Sequence, residues 1–119
     1  MSIDSFEKLE VWKHSHALAL LVYSMTRALP VEERFGLQAQ MRRAAVSVPA
    51  NIAEGFKRRG LKDKARFYNI AQGSLEELRY YLMLCNDLNY LIGVEKLRRT
   101  MEEIGKMLTG LVRATYGQK

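Results

Sequence analysis

Ten consecutive positions hold six bases, Lys57, Arg58, Arg59, Lys62, Lys64 and Arg66, with Asp63 as the one acid among them. Cations at this density suit one kind of chemistry: holding phosphate oxygens by charge-assisted hydrogen bonds and salt-dependent attraction. Phe56 and Tyr68 flank the run, and an exposed aromatic ring there could stack on a base. Arg42 and Arg43 form a second candidate, because no acid lies within four residues of either. Other bases have local partners at i,i+4: Glu54 can meet Arg58, Glu95 can meet Arg99 and Glu102 can meet Lys106. The residues expected to contact nucleic acid are therefore Arg42, Arg43, Lys57, Arg58, Arg59, Lys62 and Arg66. In the competing reading, Arg42 and Arg43 bridge to acids of a neighbouring helix or subunit, such as Glu76 or Glu77. The other bases then form a solvated bundle end.

Catalytic constellations are missing from the sequence. His14 and His16 are two residues apart and diverge around a helix, whereas chelation of one metal wants a spacing of three or four. No Cys-His cluster suits zinc, and no Glu-x-x-His motif suits a di-metal bundle. A phosphate-binding Gly-x-x-x-x-Gly-Lys-Ser/Thr loop and a Gly-x-Ser-x-Gly elbow are both absent. Ribonucleases built on small helical bundles pair an arginine with a histidine a helical turn downstream, and no arginine precedes His14 or His16. Glu76 and Glu77 are adjacent and diverge, as do Glu102 and Glu103, which reads as solvated faces. A non-enzymatic protein without cofactor or metal is expected.

The 119 residues suffice for one domain that buries a core without disulfides. Net charge is +6 and uneven: residues 31–60 and 91–119 each carry +3, and the other two quarters are balanced. Excess positive charge favours anionic partners by long-range attraction. Cys85, the only cysteine, sits in an apolar helical pattern and reads as a small core residue, which fits a reducing cytoplasm. Residues Met1 to Ser5 lack the layout of a signal peptide, and the longest apolar run, Ala17 to Tyr23, is far below the roughly 18 residues of a membrane span. A soluble cytoplasmic protein without membrane contact is expected.

The periodicity predicts an all-α chain with helices over about 9–28, 32–58, 62–89 and 94–115. Short linkers around Pro30, around Gly60 and over Tyr90 to Gly93 make consecutive helices antiparallel neighbours, so the expected fold is an up-down-up-down four-helix bundle. The runner-up is a pair of helical hairpins that complete their core only on oligomerising. In the first helix, Trp12, His16, Ala19, Tyr23 and Thr26 mark one stripe, and Val11, Leu18, Val22, Met25 and Leu29 an adjoining one. In the third, Phe67, Ile70, Ser74, Leu78, Tyr81, Cys85 and Leu88 mark the face, widened by Ala71, Leu75 and Leu82. The fourth carries a single seam of Val94, Leu97, Met101, Ile104, Leu108 and Leu111. Gly105 and Gly110 interrupt it, either by fraying or because a neighbour's backbone comes close.

Pro49 sits inside the second helix, where a proline costs roughly 3 kcal/mol and removes a backbone hydrogen bond. A bend at Pro49, packed by the surrounding alanines, is the expected compensation. Ser47, Asn51 and Glu54 lie at steps of four and three around it and are expected to satisfy freed backbone groups or to bind across helices. Apolar residues in excess of one core, such as Leu20, Leu21 and Met83, point to self-association.

The motifs Leu9-x-Val11-Trp12, Phe35-Gly36-Leu37-x-x-Gln40-x-Arg42-Arg43-Ala44-Ala45-Val46-Ser47-Val48-Pro49-Ala50-Asn51-Ile52-Ala53-Glu54-Gly55 and Gly73-Ser74-Leu75-x-Glu77-Leu78 occur in that order. In them the chain resembles the bacterial four-helix-bundle proteins encoded within intervening sequences of 23S ribosomal RNA genes. The resemblance implies an up-down bundle assembled as a homopentameric ring, with no known catalytic activity. That family is similar in fold to the accessory variability proteins of diversity-generating retroelements, basic pentamers that bind nucleic acid and a reverse transcriptase. By that analogy the expected role is binding of nucleic acid, structured RNA foremost. The alternative is a protein–protein adaptor, for example an accessory subunit for a reverse transcriptase.

Overall fold

The computed structural model describes residues 5–117. Most of the stretch read for a signal peptide, residues 1–4, lies outside them. Four helices carry the fold: α1 (Glu10–Met25), α2 (Leu37–Lys57), α3 (Leu61–Asp87) and α4 (Glu95–Tyr116). Short 3₁₀ turns cover Phe6–Lys8, Thr26–Ala28 and Val31–Glu33. No strand occurs among the described residues. α1 packs on α2 and α4, α3 packs on the same two, and the diagonal pairs do not meet. One chain thus closes its own core in a four-helix bundle of 47 × 24 × 20 Å, without a second hairpin pair. No helix of the described residues is long and apolar enough to cross a membrane.

Helix ends follow local chemistry. Leu29, just before Pro30, is extended at φ −67°, ψ 150°, which ends the first helical run. α2 starts five residues later than the pattern predicts. Gly36, at φ −104° and ψ −106°, breaks the chain direction, and Glu33 sits before the helix as its cap. The Glu33 Oε1 atom accepts from the Leu37 N–H at 3.2 Å, so this acid serves the positive helix end from outside. α3 ends in a Schellman arrangement: Asn89 takes φ 60°, its N–H donates to Asn86 O at 3.1 Å, and the Tyr90 N–H donates to Cys85 O at 2.9 Å.

The core centres on Leu18, Val22, Met41, Ala45, Val48, Ile52, Ala71, Leu78, Leu82, Cys85, Met101, Ile104 and Leu108. α2 and α3 share the most extensive seam, where small residues such as Ala44, Ala45 and Ala71 let the helices approach closely. Pro49 is buried within α2, which runs unbroken through it. Ser47 Oγ reaches Ser74 Oγ across that seam at 2.8 Å, and the Asn51 amide donates to the Ser47 carbonyl at 2.8 Å and hydroxyl at 3.0 Å. Glu54 stands apart from this set and pairs with Arg58.

Two helix faces differ from the expected stripes. On α1 the buried line is Val11, Ser15, Leu18, Ala19 and Val22, while His16 and Tyr23 are exposed. Ser15 fits the core because its hydroxyl donates to Val11 O at 2.7 Å. On α3 the residues that seemed to widen the face are its centre: Ala65, Tyr68, Ala71, Leu75, Leu78, Leu82 and Cys85 are buried, whereas Ile70 and Leu88 are exposed. Where two adjacent stripes are both apolar, periodicity does not say which one faces inward. α4 has only one stripe, and Leu97, Met101, Ile104 and Leu108 are buried as expected. The helix continues through Gly105 and Gly110, and no other part of the described chain comes within 4 Å of a Cβ built at Gly110.

Candidate nucleic-acid interface

The corner between α2 and α3 is fixed by a glycine, a tyrosine and a lysine. Gly55 lies against the Tyr68 ring so closely that a Cβ there would meet Tyr68 Cε1 at 2.5 Å and the Lys64 carbonyl oxygen at 3.2 Å. Tyr68 is 2% exposed, so it is core and offers no surface to a base. Burial pushes its hydroxyl pKa up to about 12. The Lys64 ammonium donates to Gly55 O and Phe56 O, both at 2.8 Å, and so caps the negative end of α2. Its half-buried position lowers its pKa by desolvation. Lys64 is therefore structural. Phe56, the other expected stacking ring, is half-buried with Lys64 Nζ 5.5 Å from its centre.

Around this fixed corner the remaining bases face solvent. Arg58 pairs with Glu54 at 2.8 Å and Arg66 with Asp63 at 3.2 Å. Both guanidiniums also lie on the Phe67 ring, 4.7 Å and 4.5 Å from its centroid. Lys57, Arg59 and Lys62 are exposed and make no ion pair among the described residues. The structure thus brings Lys57, Arg58, Arg59, Lys62 and Arg66 together at one end of the bundle.

Arg42 and Arg43 lie elsewhere. Fifteen residues of continuous helix separate Arg42 from Lys57, roughly 22 Å at 1.5 Å per residue. Arg42 donates from Nε to Thr26 Oγ1 at 2.9 Å and from Nη2 to Tyr23 O at 3.2 Å, and it stacks 4.6 Å from the Tyr23 ring centre. Gln38 adds a bond to Thr26 O at 2.9 Å. Arg42 therefore closes the carbonyl end of α1, a role that neither sequence reading contained. Arg43 meets Glu77 at 3.3 Å and also Gln40, as the competing reading expected. Glu77 further accepts the Tyr81 hydroxyl at 2.5 Å, and that bond raises the Tyr81 pKa.

Elsewhere, titratable groups are dispersed. His16 stacks on Trp12 at 5.0 Å, and His14 lies 4.0 Å from Glu10. Among the described residues, no three His, Cys, Asp or Glu side chains gather as metal ligands would. Cys85 is buried against Met41 Sδ at 3.5 Å, and burial pushes its thiol pKa up to about 11.

At the opposite end of the bundle the two connecting segments are joined by the Tyr90 hydroxyl donating to Glu33 at 3.2 Å. That end exposes Val31 by 81%, Phe35 by 88% and Ile92 by 87%. The two ends therefore differ: bases gather where α2 turns into α3, and exposed apolar side chains stand among charged ones where α1 turns into α2.

The chain has counterparts among known proteins. The family model described as 23S rRNA-intervening sequence protein matches residues 7–110, and the chain belongs to that family. Among solved structures it is similar to a protein of unknown function from the S23 ribosomal protein family of Bacteroides thetaiotaomicron VPI-5482. The two share 26% identity and a TM-score of 0.79, over 86% of this chain and 97% of that one. No curated protein matches the chain.

Proposed function

We propose that this protein is a non-enzymatic bundle that self-assembles as a homopentameric ring and binds structured RNA through the basic corner between α2 and α3. The observation that carries the reading is the grouping of Lys57, Arg58, Arg59, Lys62 and Arg66 around one rigid turn, with three of them free of acid partners among the described residues. Ring assembly draws support from the family resemblance and from Leu20, Leu21 and Met83, which the single chain leaves 60%, 43% and 49% exposed. Repeating the corner in each copy of a +6 chain multiplies the attraction for a polyanion. Arg42 and Arg43 stand outside this surface and serve the fold and the α2–α3 seam.

The test is titration of a structured RNA fragment at two salt concentrations, alongside light-scattering mass. Affinity that falls steeply with salt, in a pentameric mass, is expected. No binding at low salt, or binding indifferent to salt, overturns the RNA reading. A monomeric mass overturns the ring.

A second reading, a protein–protein adaptor such as an accessory subunit of a reverse transcriptase, draws on Val31, Phe35 and Ile92 at the opposite end. Pull-down with nuclease treatment separates the two. A protein partner that survives nuclease and is lost on Phe35→Ser supports the adaptor.

A further inference from the structure

We infer that Phe67 is a positioning residue whose ring pre-sets Arg58 and Arg66 as a pair of receptors for phosphates on one nucleic-acid backbone. The inference rests on the RNA-binding reading above and assigns how the corner recognises its ligand.

The two arginines reach the ring from different places. Arg58 projects from the turn after α2, while Arg66 precedes Phe67 in α3. Each guanidinium is held twice. Arg58 donates to Glu54 at 2.8 Å and lies 4.7 Å from the ring centroid. Arg66 donates from Nε and Nη2 to Asp63 Oδ1, at 3.3 Å and 3.2 Å, and lies 4.5 Å from the same centroid. Sharing one ring keeps the two groups within about 9 Å of each other, the two centroid distances laid end to end.

Stacking on a ring leaves the edge of a guanidinium open, and the Nη1 donors of Arg58 and Arg66 make no hydrogen bond among the described residues, which leaves them to a phosphate. Free arginines lose rotamer freedom when they bind, and ones already held in place lose less. Phe67 thus supplies pre-organisation without adding charge. Three rings of the corner offer a base no free face: Tyr68 is buried, Phe56 is half-buried against Lys64, and the Phe67 ring already carries two guanidiniums. Recognition at this corner is therefore of the phosphate backbone, with unrelated sequences of one fold bound alike.

The experiment measures affinity and salt slope for an RNA hairpin with the wild-type chain and with Phe67→Leu, Phe67→Tyr, Arg58→Lys and Arg66→Lys. A hairpin of the same shape with permuted sequence serves as the second probe, and melting temperature and light-scattering mass are read for each variant. Phe67→Leu is expected to weaken binding about five- to tenfold with the salt slope unchanged, since no cation is removed. Phe67→Tyr is expected to restore wild-type affinity. Arg58→Lys and Arg66→Lys keep the charge and touch no core residue. Each is expected to weaken binding with the slope kept, because an ammonium lacks the planar stacking group. The two hairpins are expected to bind equally.

Wild-type binding with Phe67→Leu and both Lys variants at wild-type affinity overturns this inference alone. So does a Phe67→Leu defect that follows a changed assembly mass and is not restored by Phe67→Tyr. A clear preference between the hairpins overturns the backbone-only recognition. A wild-type chain that binds neither hairpin at low salt overturns the RNA-binding reading, and this inference with it.

Discussion

Arg42 lies within α2 and Arg58 just past its end, each against an aromatic ring, yet their donors go to different acceptors. Arg42 sits where α1 ends, and its donors go to the Tyr23 carbonyl and the Thr26 hydroxyl. Arg58 sits where α2 ends, but there Lys64 already caps the last carbonyls, and Arg58 is left on the surface with Glu54. What a guanidinium does is thus decided by which backbone acceptors its neighbours leave unsatisfied. At the α1 end the arginine is the cap. At the α2 end a lysine is the cap, and the arginines stay at the surface against Glu54, Asp63 and the Phe67 ring.

The contrast breaks most visibly if the α2–α3 corner is not rigid. Gly55→Ala places a Cβ against the Tyr68 ring and the Lys64 backbone, and a loss of about 3 kcal/mol is expected in denaturant unfolding. Wild-type stability for this variant would mean that the corner yields.

Alkaline titration sharpens the same point. The folded-state pKa of Tyr68 is about 12, above its ordinary value of 10, so the buried neutral hydroxyl favours folding fully below pH 10. That contribution is lost as pH rises through 12. Tyr68→Phe is expected to remove about 2–3 kcal/mol of the decline between pH 10 and 12, read as the difference between two unfolding series. Parallel series would place the hydroxyl in contact with water.

At the α1 end, Arg42→Ala is expected to cost about 1–2 kcal/mol, since the Tyr23 carbonyl and Thr26 lose a charged donor. RNA affinity should not change. The smallest effect is expected for Arg58→Gln and Arg66→Gln. Their ion pairs are exposed, so stability should move by less than about 0.5 kcal/mol while RNA affinity falls.

How much of this was legible beforehand varied with the range of the interaction. The four helices, and the buried face of α4, followed from period alone because α4 has one apolar stripe. The inward faces of α1 and α3 did not, because each carries two neighbouring apolar stripes and the choice is made by the helix packed opposite. The pattern puts the start of α2 too early because Glu33 reads as a first-turn acid, whereas it caps the helix from the preceding turn across Gly36. At the candidate site, the Glu54–Arg58 pair was visible as an i,i+4 spacing. The acceptors of Arg42 lie 16 and 19 residues away in sequence and include a backbone carbonyl, so local spacing gives no sign of them. Lys64 counted as a surface base because its contacts with Gly55 and Phe56 arise only when the α2–α3 corner folds. By period alone Phe67 belongs to the core face of α3. Its place under two arginines depends on that same corner, and an aromatic residue directly after Arg66 was the only hint.

The division of labour between the two ends is tested most directly by the salt dependence of RNA affinity in two variants. One replaces Lys57, Arg59 and Lys62 together with Gln, and the other is Arg42→Ala. The triple variant is expected to lower the slope of log affinity against log salt by about three, with its melting temperature kept. Arg42→Ala is expected to leave that slope at the wild-type value. A triple variant with the wild-type slope, or an Arg42→Ala variant that lowers it, would contradict the assignment of RNA binding to the α2–α3 corner.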